Sequence, residues 1–374
     1  MQASTRITAI MIKEFIQLTR DRLTYAMILG VPIMQLLLFG FAINTDPRDL
    51  PAVLLDLDNS AYSRSVAAAI RNTGYFTFTE EASGPADIDE AIETGTAQFA
   101  ITIPADFSRR VVRDDNPQIL VEADASDPTT VGSALAALSN LPAQALAHDL
   151  SGPTARAPAV PPFEMVIHRR YNPEAITAYN IVPGLLGIVL TMTLVMMTAL
   201  ALTRERERGT METLLSTPVE PIEVMIGKLA PYVGIGAIQT VIILILARLI
   251  FGVPLSGGWD ALTLGVLMFI IGSLALGFLF STVAKSQLQA MQMSVFYILP
   301  SILLSGFMFP FRGMPEWAQV LGTAIPVTHF LRVVRGSLLK GVGIAEAWPS
   351  LLALAIFVVV VTAAAMSRYR TTLD

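Results

Sequence analysis

Six stretches of this chain are long and apolar enough to cross a lipid bilayer, and that constrains the fold more than anything else in the sequence. A membrane-spanning helix needs about 20 consecutive apolar residues at about 1.5 Å of rise each. Leu23 to Ile43, Ala178 to Leu202, Leu229 to Ala247, Ala261 to Ala284, Met291 to Phe311 and Trp348 to Met366 qualify, and none holds an Asp or Glu. Arg248 follows the third and can snorkel to the interface. Pro300 and Gly306 make the fifth less regular. The first is longer than the apolar core of a signal peptide, about 7–15 residues, so an uncleaved anchor is expected. Charged residues make up only 15% of the chain against about 25% in soluble domains, too few to cover a soluble globule. Zero cysteines exclude a disulfide scaffold and any Cys-ligated metal. With 25 basic and 30 acidic residues and no basic stripe, nucleic-acid binding is a poor fit.

Charge gives the orientation. Arg6, Lys13, Arg20 and Arg22 precede the first run, Arg204, Arg206, Arg208 and Lys228 lie between the second and third, Lys285 follows the fourth, and Arg368 and Arg370 close the chain. Six spans with both termini in the cytoplasm put all of these on the inner side. Arg312, Arg332, Arg335 and Lys340 then fall outside, against the rule. A re-entrant or interfacial segment over Pro326 to Leu339 would accommodate them.

Between the first two runs, residues 44–175 carry 9 basic and 19 acidic residues, a net of −10. Strand patterns at 52–57, 75–79, 98–103 and 119–122 alternate with helical ones at 60–70, 86–92 and 104–112, then an Ala-rich helical stretch at 129–150 broken by Pro142, and a Pro-rich loop at 153–162. That alternation predicts a small α/β domain. Asp56 and Asp58 end the first strand, where Asn59 or Ser60 would cap the next helix. His168, Arg169 and Arg170 read as a polar run entering the second span. The expected architecture is a polytopic α-helical membrane protein with six transmembrane helices and a mixed α/β extracytoplasmic domain inserted between helices one and two. Its parts would be a cytoplasmic amphipathic helix at 1–22, helix one at 23–43, the α/β domain at 44–175, helices two to six at 176–366 and a tail at 367–374.

The loop after the second span holds the densest polar pattern. Glu205, Arg206, Glu207 and Arg208 alternate in sign, Gly209 permits a change of direction, Thr210 can cap a short helix, Met211, Leu214 and Leu215 give it an apolar face, and Pro218 ends it. Such a helix could dock into a partner protein. A charged interfacial anchor is the alternative.

The run from Glu205 to Pro218 resembles the hallmark of ABC-2 type membrane permeases, the membrane subunits of bacterial ATP-driven exporters. Tyr171-Asn172-Pro173-Glu174, Ser305 to Pro310, and Pro326 to Leu331 followed by Arg335-Gly336 match the family in order and spacing. The large domain after the first span resembles the drug-efflux branch. The resemblance implies a coupling helix at 209–217 seated in a separate nucleotide-binding ATPase subunit, with Glu205, Arg206, Arg208, Gly209, Thr210, Met211, Glu212, Leu214 and Leu215 at the contact. It further implies a second permease copy or close paralogue, a periplasmic adaptor protein in some relatives, and the inner membrane of a bacterium as location. ATP and Mg would be held by the partner, with no cofactor on this chain.

What the sequence lacks agrees with that division of labour. None of the four lysines sits in a Walker A run, the three histidines share no metal-ligand spacing, and no Gly-x-Ser-x-Gly elbow occurs. Carboxylate-free spans favour an energy source outside the bilayer over ion coupling. Two rivals remain at this level, a scaffold or receptor presenting the α/β domain and an integral membrane enzyme. Seven glycines in the spans, Gly184, Gly187, Gly234, Gly236, Gly265, Gly272 and Gly277, can permit close helix packing.

Overall fold

A computed structural model describes residues 47–126, 128–150, 161–207 and 221–368. The expected N-terminal helix at 1–22, the run Leu23–Ile43 and most of the tail lie outside them.

The α/β domain comes first. Strands β1 (Leu50–Asp56), β2 (Phe76–Glu81), β3 (Phe99–Ile103), β4 (Gln118–Asp124) and β5 (Glu164–Arg170) form one sheet in the order β2-β1-β3-β4-β5. β1 runs parallel to β2 and β3, β3 pairs antiparallel with β4, and β4 runs parallel to β5. Helices α1 (Ala61–Asn72), α2 (Pro85–Thr94), α3 (Phe107–Arg113) and α4 (Pro128–Ser139) connect them. Apolar side chains alternate along the strands, so both sheet faces are cores. Phe76, Phe99, Ile101, Val121 and Phe163 pack with α1, α3 and α4, while Val53, Leu55 and Ala100 pack under Ile88 and Ile92 of α2.

Asp56 and Asp58 are structural. Asp56 Oδ1 accepts the Asp58 and Asn59 amides, and its Oδ2 accepts the Ser63 hydroxyl at 2.6 Å. Ser60 and Ser63 close a reciprocal capping box at the start of α1. Asp58 accepts the Ser108 amide and hydroxyl, tying β1 to α3.

The membrane part follows. Helices α5 (Thr177–Glu207), α6 (Pro221–Phe251), α7 (Trp259–Val283), α8 (Gln287–Leu304) and α11 (Ile344–Arg368) are each long and apolar enough to cross a membrane. The expectation of six transmembrane helices, with the α/β domain between helices one and two, is corrected. The described residues hold five such helices, and the α/β domain precedes the first of them. Hydropathy counts apolar runs wherever they occur in the chain, whereas these crossings are helices among the described residues, and Leu23–Ile43 lies outside them. The expected run to Phe311 is likewise shorter. α8 stops at Leu304, and Gly306 turns the chain at φ +81°.

Between α8 and α11 lie two short helices, α9 (Glu316–Thr323) and α10 (Pro326–Arg335), and a π turn at Gly336–Lys340. α10 is buried on one side, where Phe330 stacks on Phe269 of α7 with centroids 4.0 Å apart. Six of the seven glycines are indeed close approaches. A Cβ on Gly277 would stand 2.5 Å from the Val195 carbonyl oxygen of α5, whereas one on Gly234 would meet nothing within 4 Å. α6 leaves Ile238, Val241, Ile242, Ile245, Leu249 and Ile250 exposed, as suits a helix solvated by acyl chains.

Candidate functional site

The functional geometry is set by α5, which runs unbroken from the α/β domain to the polar loop at the other membrane face. At its upper end Asn172 makes the joint. Its Oδ1 accepts the Ile176 amide at 2.9 Å and its Nδ2 donates to the Ile176 carbonyl at 3.0 Å. Asn172 is fully buried, and Tyr171 and Ala175 on either side take positive φ of 65° and 52°. The motif at 171–174 is therefore a rigid elbow between β5 and α5. His168, Arg169 and Arg170 belong to β5 rather than to the entry of a span. Arg170 Nε donates to Glu122 Oε1 at 2.8 Å, and its Nη1 lies 2.6 Å from Asp89 Oδ1 on α2.

Two residues of the segment after α8 reach the α/β domain. Lys340 Nζ donates to Asp124 Oδ2 at 2.5 Å and to the Ile92 carbonyl at 3.1 Å, and lies 5.1 Å from the Tyr171 ring centroid. Its side chain and that of Asp124 are 10% and 9% exposed. Arg312 Nη2 donates to the Gly95 carbonyl at 2.7 Å. Arg335 faces inward, donating to the Gly306 carbonyl at 3.0 Å where the chain leaves α8.

His329, on α10, has its Nε2 2.9 Å from the Thr323 carbonyl, while its buried Nδ1 has no partner. Burial pushes its pKa down, the Thr323 contact pushes it up, and Arg332 pushes it down again, leaving it below the ordinary 6.5. A neutral ring with Nε2–H donating fits this. Because the folded value is depressed, stability is present above the ordinary value and lost as pH falls through the folded one. Thermal stability should fall as pH drops below about 6.5, and His329→Gln should flatten that slope. Equal slopes in both proteins would refute the assignment.

At the lower end of α5, Glu207 accepts the Gln287 amide at 2.7 Å and its Nε2 at 2.5 Å. The Gln287 bonds hold the carboxyl below its usual value. Ser286 caps α8 by accepting the Gln289 amide. The ends of α5 and α8 are thus joined at the point where the polar loop begins. Of the expected contact residues, Glu205 and Arg206 lie in the last turn of α5, and only their place in the helix is described. Arg208, Gly209, Thr210, Met211, Glu212, Leu214 and Leu215 lie outside the described residues. The Lys340 latch and the Glu207 joint escaped sequence reasoning, apart from the hint of clustered cations after residue 311, while the elbow's motif at 171–174 was singled out without its structural role. Among the described residues, no group of three His, Asp or Glu is placed to hold a metal.

Residues 22–366 match the family described as ABC-2 family transporter protein. The chain is 26% identical to the probable multidrug ABC transporter permease YbhR of Escherichia coli K12, with 98% of each chain covered. It is 28% identical to the probable multidrug ABC transporter permease YbhS of the same organism, over 90% of this chain and 89% of that one. It is 27% identical to its inner membrane transport permease YhhJ, over 86% of each. No solved structure matches. The chain belongs to the ABC-2 family of transporter proteins, as a membrane permease subunit of the kind paired with a nucleotide-binding ATPase subunit.

Proposed function

We propose that this subunit exports hydrophobic or amphipathic compounds, drugs among them, and is driven through residues 209–217 by ATP hydrolysed on a separate subunit. The observation that carries the reading is the continuity of α5, one helix linking the elbow under the α/β domain to residue 207, where it is joined to α8. A push on the loop after Glu207 moves both helices together. Glu205, Arg206, Arg208 and Glu212 would supply polar contacts to the ATPase, and Met211, Leu214 and Leu215 the apolar ones, with Gly209 and Thr210 starting the helix. Five crossings separate the α/β domain from the C-terminal end, so these lie on opposite sides. Arg204, Lys285 and Arg368 gather on the side away from the domain, which favours the cytoplasm there. The α/β domain is then extracytoplasmic and the membrane is the bacterial inner one.

Drug export is supported by the relatives named as multidrug permeases. It also suits the exposed stripe of Ile181, Leu185 and Met192 along α5, whose adaptable methionine could face a second permease copy or a greasy path. The external domain is the natural seat for a periplasmic adaptor. The test is ATPase activity in lipid with the cognate ATPase co-purified. Glu212→Arg should cut substrate-stimulated turnover by about tenfold or more, the effect of placing a like charge in a docked polar contact. Turnover and association indifferent to this change would sink the coupling assignment.

A further inference from the structure

Four cations, Arg312, Arg332, Arg335 and Lys340, sit at the membrane face that carries the α/β domain, where the charge rule disfavours them. Two are accounted for, since Lys340 is paired with Asp124 and Arg335 holds the break after α8. Arg312 and Arg332 are different. Arg312 donates to a backbone carbonyl, and the Arg332 guanidinium lies 4.9 Å from the Phe311 ring centroid. Among the described residues neither forms an ion pair. Both side chains remain accessible. Although each keeps exposed surface, the protein packed around it lowers both pKa values, with Asp124 partly offsetting this at Arg312 and the Arg312 charge adding to it at Arg332. The mutual repulsion of these two neighbouring arginines, one of them held over the Phe311 ring, would be relieved by a shared anion.

The surroundings identify the anion's source. Phe311 packs against Gly322 of α9, and next to Gly322 the exposed Leu321 and Val320 continue an apolar surface with Trp317. The other two tryptophans of the chain, Trp259 and Trp348, are also exposed and start α7 and α11 at this same face. Tryptophans gather at headgroup level. The arginine pair therefore lies where phosphates of the outer leaflet lie, beside a surface that suits an acyl chain. We propose that Arg312 and Arg332 bind the phosphate of an anionic phospholipid in the outer leaflet, with its chain along the exposed face of α9. The Phe311 contact orients the Arg332 plane, and guanidinium is the group best suited to phosphate. This binding needs neither ATPase nor substrate, and rests on the proposed function only for which side of the membrane is the outer one.

The full chain, purified in mild detergent, would be titrated with phosphatidylglycerol, phosphatidylcholine of the same chains, or inorganic phosphate, and bound lipid counted by native mass spectrometry. The wild type should prefer phosphatidylglycerol over phosphatidylcholine by about tenfold. R312Q/R332Q should lose that preference, R312K/R332K should keep part of it, and Arg109→Gln, an exposed arginine on α3, should keep all of it. Should the double variant fail to fold, R332Q alone serves, because the Arg332 side chain makes no hydrogen bond among the described residues, and this variant should still lower the preference severalfold. A preference unchanged in the glutamine variants would overturn the proposal. So would full displacement of bound phosphatidylglycerol by an equal concentration of inorganic phosphate, which would mark a free-anion site instead.

Discussion

Lys340→Met should release the α/β domain from the membrane part while leaving both folded. Asp124 is 9% exposed and, without Lys340, would keep only the Ser126 amide on its other oxygen, while the Ile92 carbonyl would lose its donor. Removing one member of a buried pair strands the other charge and costs on the order of 3–5 kcal/mol. The loss would fall at the junction, so hydrogen exchange should rise around Asp124 and Ile92 while the Phe269–Phe330 region stays protected. Adding Asp124→Leu should recover much of the loss, since an apolar pair replaces a buried ion pair at little cost. Unchanged exchange in Lys340→Met would mean that the latch holds nothing. The attachment matters for transport because α5 leaves the α/β domain through the Asn172 elbow. A domain held rigidly by Lys340 and Arg312 turns any tilt of α5 into movement of the whole domain.

Gly277→Val should prevent most of the chain from reaching its folded state. The added Cβ would come within 2.5 Å of the Val195 carbonyl oxygen and 2.9 Å of the Thr198 Cβ. A backbone oxygen in a helix cannot move aside without moving α5. Overpacking a core with flexible neighbours costs about 1–3 kcal/mol, and a rigid obstacle exceeds that range. Size-exclusion chromatography in detergent gives the readout, as the yield of monodisperse protein. Gly234→Ala is the control, because nothing lies within 4 Å of its Cβ position, and its yield should match wild type. A normal yield of Gly277→Val would show that α5 and α7 are further apart than they stand here.

The strongest sequence signals were local ones. A span declares itself by composition over about 20 residues, and five of the expected runs became helices, with ends displaced where a break came earlier, as at Leu304. The alternation of strands and helices in the α/β domain was legible for the same reason, down to the Ser60 cap, because periodicity and capping depend on near neighbours. β5 was not. Glu164–Arg170 is an edge strand, mostly exposed, and its charged end reads as a membrane boundary. Only β4 beside it makes it a strand. The candidate coupling residues were named from a contiguous motif, which needs no tertiary information.

The sequence by itself determined that this is a polytopic membrane protein with a mixed α/β domain and no ATPase motif of its own. Its residue pattern also pointed to the permease family. Tertiary structure alone decided where Lys340 and Arg312 reach. Lys340 and Asp124 are 216 positions apart, and Arg312 and Gly95 are 217. No periodicity connects residues so distant, since their meeting depends on how the sheet, the elbow and the segment after α8 pack. Hydrophobicity acts through each residue's own surface and can be read one segment at a time. A buried ion pair depends on a partner's position, and that position exists only once the chain has folded.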